Sequence, residues 1–204
     1  MSKCYWITGL SASGKTTLSK LLVDHFRLSG RQVILLDGDE LRQVFNDKAY
    51  IKEERIIIGM KYSRLCQLIS SQGVDVVIAV IGLFKEIHDW NRKNIPNYIE
   101  IFIDTPLHEL KRRDPKGLYK QYAAGEIHNI AGLDLEVDFP ENPDVHLKWS
   151  NKITIYLAKL NSLLSHFIPD KIISCSNKST QTHLQLGYCK RTLVLIDNGF
   201  DTTK

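Results

Sequence analysis

Apolar residues fall along the chain in short continuous runs separated by longer amphipathic stretches. Cys4 to Thr8, Val33 to Leu36, Val74 to Ile81 and Ile99 to Ile103 are such runs, each bounded by Gly, Asp or a polar turn. They do not alternate apolar with polar, which is how strands covered on both faces read. Between the first two, Leu18, Leu21, Leu22 and Phe26 recur at helical spacing, and Ser29 and Gly30 supply a stop. A second helix is predicted from about Glu53 to Ser71, ended by Gly73. A further one covers Asn151 to Phe167, where Ile153, Tyr156, Leu157, Leu160 and Leu164 share a face ahead of Pro169. Strands separated by helices require right-handed crossovers. The pattern therefore predicts an α/β fold, a mostly parallel sheet flanked by helices, with ligands gathered at the carboxyl ends of its strands.

The pattern breaks between Arg112 and His146, a polar stretch punctuated by Pro115, Gly117, Gly125, Gly132, Pro140 and Pro143. A long, weakly structured stretch inside a compact domain is expected to be a functional lid, here residues 112–146. The chain thus divides into one domain over residues 1–167 and a C-terminal extension, 168–204, too short for a second domain and holding one strand-like run, Thr192 to Ile196. With 204 residues, 43% of them apolar, there is material for a real core. The 27 Lys and Arg against 23 Asp and Glu leave a net charge of only +4, with no block of five or six like charges, so broad electrostatic capture of duplex nucleic acid is not expected. The longest apolar stretch, Val74 to Phe84, is interrupted by Asp75 and falls short of the ~20 residues of a membrane helix. The start MSKCYWITGL lacks the basic-then-apolar layout of a signal peptide, which makes cytoplasmic residence the expectation. Cys4, Cys66, Cys175 and Cys189 have no metal-like spacing and read as reduced, mostly buried thiols. The seven histidines show no pairing of the kind a metal site uses.

Chemistry is concentrated after the first strand. Gly9-Leu10-Ser11-Ala12-Ser13-Gly14-Lys15-Thr16 fits G-x-x-x-x-G-K-[ST], directly between a strand and a helix. Glycines let the backbone close around phosphate oxygens, and the N–H groups and helix N-terminus face the anion. Lys15 can then bridge β- and γ-phosphates while Thr16 ligates Mg²⁺. The second strand delivers Leu36-Asp37-Gly38-Asp39-Glu40-Leu41-Arg42 to the same edge. Asp37 and Asp39 can hold Mg²⁺ through water and take a proton from an attacking hydroxyl; the plainer reading is a turn and a helix N-cap, and the neighbouring phosphate loop favours function. Asp104 is a further candidate for that metal shell. Phosphoryl transfer also needs cations from outside the loop, and Arg42, Arg55, Arg113, Lys116 and Lys120 are the supply. Arg113 and Lys116 stand on the lid, which on closing can carry charge onto the phosphates and exclude water.

These residues resemble adenylylsulfate (APS) kinase, the enzyme that phosphorylates the ribose 3′-hydroxyl of adenosine 5′-phosphosulfate. The match rests on GLSASGKTT at Gly9 to Thr17, LDGDELR at Leu36 to Arg42, FIDTP at Phe102 to Pro106, RDPKGLYK at Arg113 to Lys120, AGEIHNIAGLD at Ala124 to Asp134 and PENPDVHL at Pro140 to Leu147, over about residues 3 to 167. The resemblance implies a P-loop kinase fold, ATP bound by Gly9, Ser11 to Thr17 and Arg113, Mg²⁺ on Thr16 and Asp39, and a homodimer. It implies that Asp39 is the catalytic base acting with Lys15 and Arg113, that Arg42 and Arg55 meet the acceptor's charged end, and that Lys116, Gly117 and Leu118 close over it with Asp37. The acceptor half departs from the family. Ala49-Tyr50-Ile51 stands for Gly-Phe-Ser, Ile58-Gly59-Met60-Lys61 for Asn-Ile-Arg-Arg, Val80-Ile81-Gly82-Leu83 for Phe-Ile-Ser-Pro, and Asn129-Ile130-Ala131-Gly132 for Asn-Phe-Thr-Gly. Tyr50 is then the remaining aromatic opposite Ile130. The expected acceptor is APS; the alternative is cytidine diphosphoramidate or a similar CDP conjugate, as in kinases of capsule modification. A nucleotide-binding scaffold of weak activity is the alternative from another class.

Overall fold

The computed structural model describes residues 2–48, 51–149, 172–174, 181, 184, 185, 188, 190 and 193–195. The chain forms two compact units, Met1–Trp149 and Ser150–Lys204. The first is a five-stranded sheet in the order β2-β3-β1-β4-β5, from β1 (Cys4–Thr8), β2 (Val33–Asp37), β3 (Asp75–Ala79), β4 (Tyr98–Asp104) and β5 (Val145–Lys148). Every adjacent pair is parallel. Helices α1 (Lys15–Leu28), α2 (Gly38–Phe45), α3 (Lys52–Ser71), α4 (Lys85–Asn94), α5 (Leu107–Arg113) and α6 (Leu118–Ala123) fill the connections. The central strands β1 and β3 are buried throughout, as their uninterrupted apolar runs require. Tyr5, Trp6, Ile7, Ile78 and Ile101 are almost wholly inaccessible, and burying each large apolar side chain contributes about 1.5–3 kcal/mol before the entropy cost is subtracted.

The register places the carboxyl ends of β1 and β2 side by side across β3: Ile7 lies opposite Ala79, and Asp37 lies opposite Ala79 from the other side. That edge carries the turn into α1 and the turn into α2. Helix α1 buries Leu18, Leu22, Val23 and Phe26. Leu21 is 47% exposed, because the buried face runs from Leu18 through Leu22 and Phe26 to Val23 and leaves Leu21 beyond its opposite edge. Helix α3 ends as the sequence predicts, with Gly73 at a φ of 86°. Strand β3 is shorter than its apolar run. From Val80 onward the chain turns toward α4, and Gly82 lies against Trp6 with no room for a Cβ beyond a 3.0 Å contact.

The stretch 112–146 is more ordered than its composition predicts. It contains all of α6, anchored by the buried Tyr119, and β5 begins inside it at Val145. Prolines on both sides of Asn142 mask a four-residue strand that pairs with β4 through Ile101–Val145 and Phe102–His146. In the second unit, β6 (Ile172–Ser174) and β7 (Leu193–Leu195) pair in parallel, β7 lying within the predicted run Thr192 to Ile196. The helix expected over residues 151–167 and the boundary at 167/168 lie outside the described residues, as do Cys175 and Cys189. Cys4 and Cys66 are buried free thiols, as expected. Among the described residues no helix is long and apolar enough to cross a membrane.

Candidate functional site

The turn from β1 into α1 is a cradle of backbone. Gly9 has a φ of 150°, and a Cβ there would lie 2.6 Å from the Ile103 carbonyl, so only glycine lets the chain leave the strand at that angle. Ala12 and Gly14 also have positive φ, at 64° and 104°, and Gly14 caps α1 without a side chain, leaving the first N–H groups of the helix to other acceptors. Side chains from the turn after β4, from α5 and from α6 brace the loop through its carbonyls. Tyr119 donates to Ser11 at 3.1 Å, Thr105 to Ser13 at 3.5 Å and Arg113 to Ala12 at 3.5 Å. With these carbonyls engaged, amides of the loop other than that of Ser13, which donates to the Leu10 carbonyl at 3.2 Å, are left to face an anion.

Lys15 lies under this cradle, donating from Nζ to the Leu10 carbonyl at 2.8 Å. Burial lowers its pKa to about 8, against the opposing pull of Asp39. Thr16 Oγ1 donates to Asp37 Oδ2 at 2.8 Å, and Asp37 Oδ1 accepts the Asp39 N–H at 2.9 Å. One carboxylate thus caps α2 and reaches the phosphate loop at once. Asp39 stands just beyond it, half exposed, and its Oδ2 accepts from Lys116 of the lid. Its partial burial alone would raise its pKa; Lys116, Arg42 and Lys15 outweigh that and hold the carboxyl below its ordinary value.

These groups open into a cleft of about 610 Å³. One end is formed by Ser11, Ala12 and Gly14 to Thr17, and the other by Ile58, Gly59, Tyr62, Val80, Ile81 and Phe84. Asp37, Asp39, Arg42, Arg55, Arg113, Lys116 and Leu118 stand along it. Gly9 and Ser13 lie beneath the loop, and Gly117, with a φ of 69°, starts α6. Arg55 donates from Nη2 to the Asn129 carbonyl at 2.7 Å, while its buried Nε has no partner. Burial first and then the neighbouring Arg42 lower its pKa, with Asp134 pulling the other way. Asn129 and Ile130 donate their N–H groups to Asp134 at 2.8 and 2.6 Å, and the Ile130 side chain packs on the core away from the cleft wall. Tyr50 lies outside the described residues. Asp104 pairs with His146 at 3.0 Å and is not brought to Thr16. Among the described residues no cluster of three or more His, Cys, Asp or Glu could hold a metal by itself. A hydroxyl and one carboxylate beside a phosphate cradle nevertheless suit Mg²⁺, which takes few protein ligands and completes its shell with substrate phosphates and water.

Tyr62 and Phe84 were not singled out by the sequence. A signal was there for Tyr62: Arg55, Ile58, Gly59 and Tyr62 follow the i, i+3, i+4, i+7 spacing of one helix face. Gly59 lets α3 approach α4, since a Cβ there would fall 2.2 Å from Ile87 Cδ1.

The sequence profile of the adenylylsulphate kinase family matches residues 1–148. The chain belongs to that family. It is accordingly a phosphotransferase, a nucleotide-binding kinase built on the P-loop fold. A cytidine diphosphoramidate kinase of Campylobacter jejuni is 43% identical over 160 residues, which cover 76% of this chain and 94% of that protein. An adenylyl-sulfate kinase of Picosynechococcus is 36% identical over 144 residues, 70% of this chain and 81% of the relative. Among solved structures, the APS kinase of Mycobacterium tuberculosis in complex with AMPPNP and APS superposes with a TM-score of 0.73 at 33% identity, covering 80% of this chain and 97% of that one.

Proposed function

We propose that the protein transfers the γ-phosphoryl group of ATP to the ribose 3′-hydroxyl of a cytidine diphosphoramidate-like nucleotide conjugate. The observation that carries the transfer is the single cleft that joins the phosphate cradle to Asp39 and to the Arg42–Arg55 pair. The cradle amides from Ser11 to Thr17 and Lys15 would bind the triphosphate, with Arg113 above it. Thr16 and Asp37 are already joined, so we place Mg²⁺ on them with Asp39 beside, where the metal would offset charge on the phosphates. Asp39 orients the acceptor hydroxyl and takes its proton on a carboxylate oxygen; the carboxyl is held below its ordinary pKa and so is ionised, and a shift of Lys116 off it on substrate binding would raise its basicity. Lys116, Gly117 and Leu118 close the lid over the acceptor, whose charged end meets Arg42 and Arg55.

The cytidine conjugate is favoured by the 43% identity across nearly the whole of the C. jejuni protein. It is favoured also by the acceptor wall, where Ile58 and Val80 stand in place of the Asn and Phe of the APS kinase pattern and the rings present are those of Tyr62 and Phe84. APS, the acceptor expected from the sequence, is the second reading, supported by the match to APS kinases in sequence and fold. The test is kcat/KM for both acceptors under the same ATP concentration. A preference for the cytidine conjugate supports the first reading, and a preference for APS overturns it. The homodimer is part of the proposal and is checked by light scattering after gel filtration.

A further inference from the structure

Helix α5 carries a buried carboxylate that no step above uses. Glu109 is 4% exposed and lies outside the cleft. Its Oε1 accepts from Arg113 Nε at 2.7 Å and from Arg112 Nη2 at 2.7 Å, and its Oε2 accepts from Arg112 Nε at 2.6 Å. Arg112 is 72% exposed in its side chain and points to solvent, whereas Arg113 lines the cleft and also touches the Ala12 carbonyl of the cradle. We propose that Glu109 is the positioning residue for Arg113, fixing its guanidinium from behind so that the remaining N–H groups face the phosphates bound in the cradle. The inference rests on the proposed placement of Arg113 over ATP.

Two features of the arrangement support it. A guanidinium has five N–H donors in a rigid plane. With Nε tied to Glu109 and one Nη1 donor to Ala12, the plane's orientation is set and three donors are left for a ligand. The second feature is charge. A lone Glu109–Arg113 pair would cancel the cation that phosphoryl transfer needs, but Arg112 adds a second positive charge to the same carboxylate, so the triad keeps a net +1. The carboxyl is held down to about 2 by its bonds to Arg112 and Arg113, which keeps it ionised wherever the enzyme works.

The test is a double-mutant cycle on the full chain, reading kcat and KM for ATP together with thermal melting. Glu109→Gln keeps shape and loses charge. It is expected to lower kcat/KM for ATP about tenfold in the parent and by less than about twofold once Arg113→Ala is present, since a positioning residue has nothing left to position. Glu109→Asp, shorter but charged, is expected to retain more activity than Glu109→Gln. Equal losses from Glu109→Gln in both backgrounds, no loss in the parent, or better activity with Gln than with Asp would each assign Glu109 to packing alone and overturn the inference. Full activity of Arg113→Ala would instead overturn the placement of Arg113 on which it rests.

Discussion

The two ends of the cleft are built in different ways. The proposed phosphate end is one uninterrupted stretch of eight residues, Gly9 to Thr16, running from the turn into the first residues of α1, and the groups it would offer are backbone amides set by the positive φ angles of Gly9, Ala12 and Gly14. The proposed acceptor end is assembled from α2, α3, the turn after β3 and the lid, and the groups it would offer are side chains. A backbone cradle tolerates little change because its geometry is its chemistry. A wall of side chains can be rewritten at Ile58 and Val80 while the elements that carry them stay in place. One fold can therefore keep its phosphoryl donor and change its acceptor, and mutations at the two ends should fail in different ways.

The largest effect is expected at the phosphate end. Lys15→Ala removes the ammonium from under the cradle and should cut kcat/KM by about 10³-fold or more, since cations on the transferring phosphoryl group supply much of the catalysis. Lys15 is a buried charge anchored by one carbonyl, so the melting temperature should hold or rise. A folded variant with undiminished turnover would dissolve the contrast between the two ends.

Asp39→Asn is the next largest. It should lower kcat about 10²-fold or more with little change in KM for ATP, because the carboxylate acts on the acceptor hydroxyl. Asp37→Asn weakens a helix cap and the contact to Thr16, and should cost about 1 kcal/mol of stability with a smaller loss of kcat. A larger loss of kcat for Asp37→Asn would move the proton acceptor from one aspartate to the other.

The same asymmetry decided what could be read from the sequence. The phosphate loop, Asp37, Asp39 and the parallel sheet were legible because each is written in adjacent residues with a fixed spacing. Lys116 and Arg113 were legible as a lid, but the bond from Lys116 to Asp39 was not, for a contact across 77 residues leaves no mark on local spacing. Glu109 and Arg113 do stand at i, i+4 spacing, yet that spacing alone does not tell a buried pair from the common exposed one. The strand β5 was hidden because two prolines lead into it. Tyr62 was hidden because a helical position facing a cleft has the same periodicity as one facing the core.

A smaller effect concerns pH. Lys15 has a pKa of about 8 in the free enzyme against an ordinary 10.5, so between those values the unfolded chain binds more protons than the folded one. Stability should therefore rise with pH through that window as the penalty of burying the ammonium is relieved. ATP binding should move the opposite way, because phosphates need the charged lysine. Its affinity should fall by up to about tenfold per pH unit above 8. Melting curves and calorimetric titration from pH 7 to 10 check both signs, and Lys15→Met should flatten both profiles.

The smallest effect separates two positions that the sequence treats alike. Ile58 lines the cleft, whereas Ile130 packs on the core while its amide is held by Asp134. Ile58→Asn places an amide in the acceptor wall. It should change the ratio of kcat/KM for APS to that for the cytidine conjugate about five- to tenfold, the range expected when one acceptor supplies a hydrogen-bond partner for that amide and the other leaves it unpaired. Ile130→Phe adds volume to a packed surface and should cost about 1–3 kcal/mol of stability while moving the same ratio less than about threefold. If Ile130→Phe changes the ratio as much as Ile58→Asn, the lid turns residue 130 into the site when an acceptor binds. The acceptor wall would then include the lid as well as the fixed elements, and the apolar face seen on α3 and β3 would be only half of it.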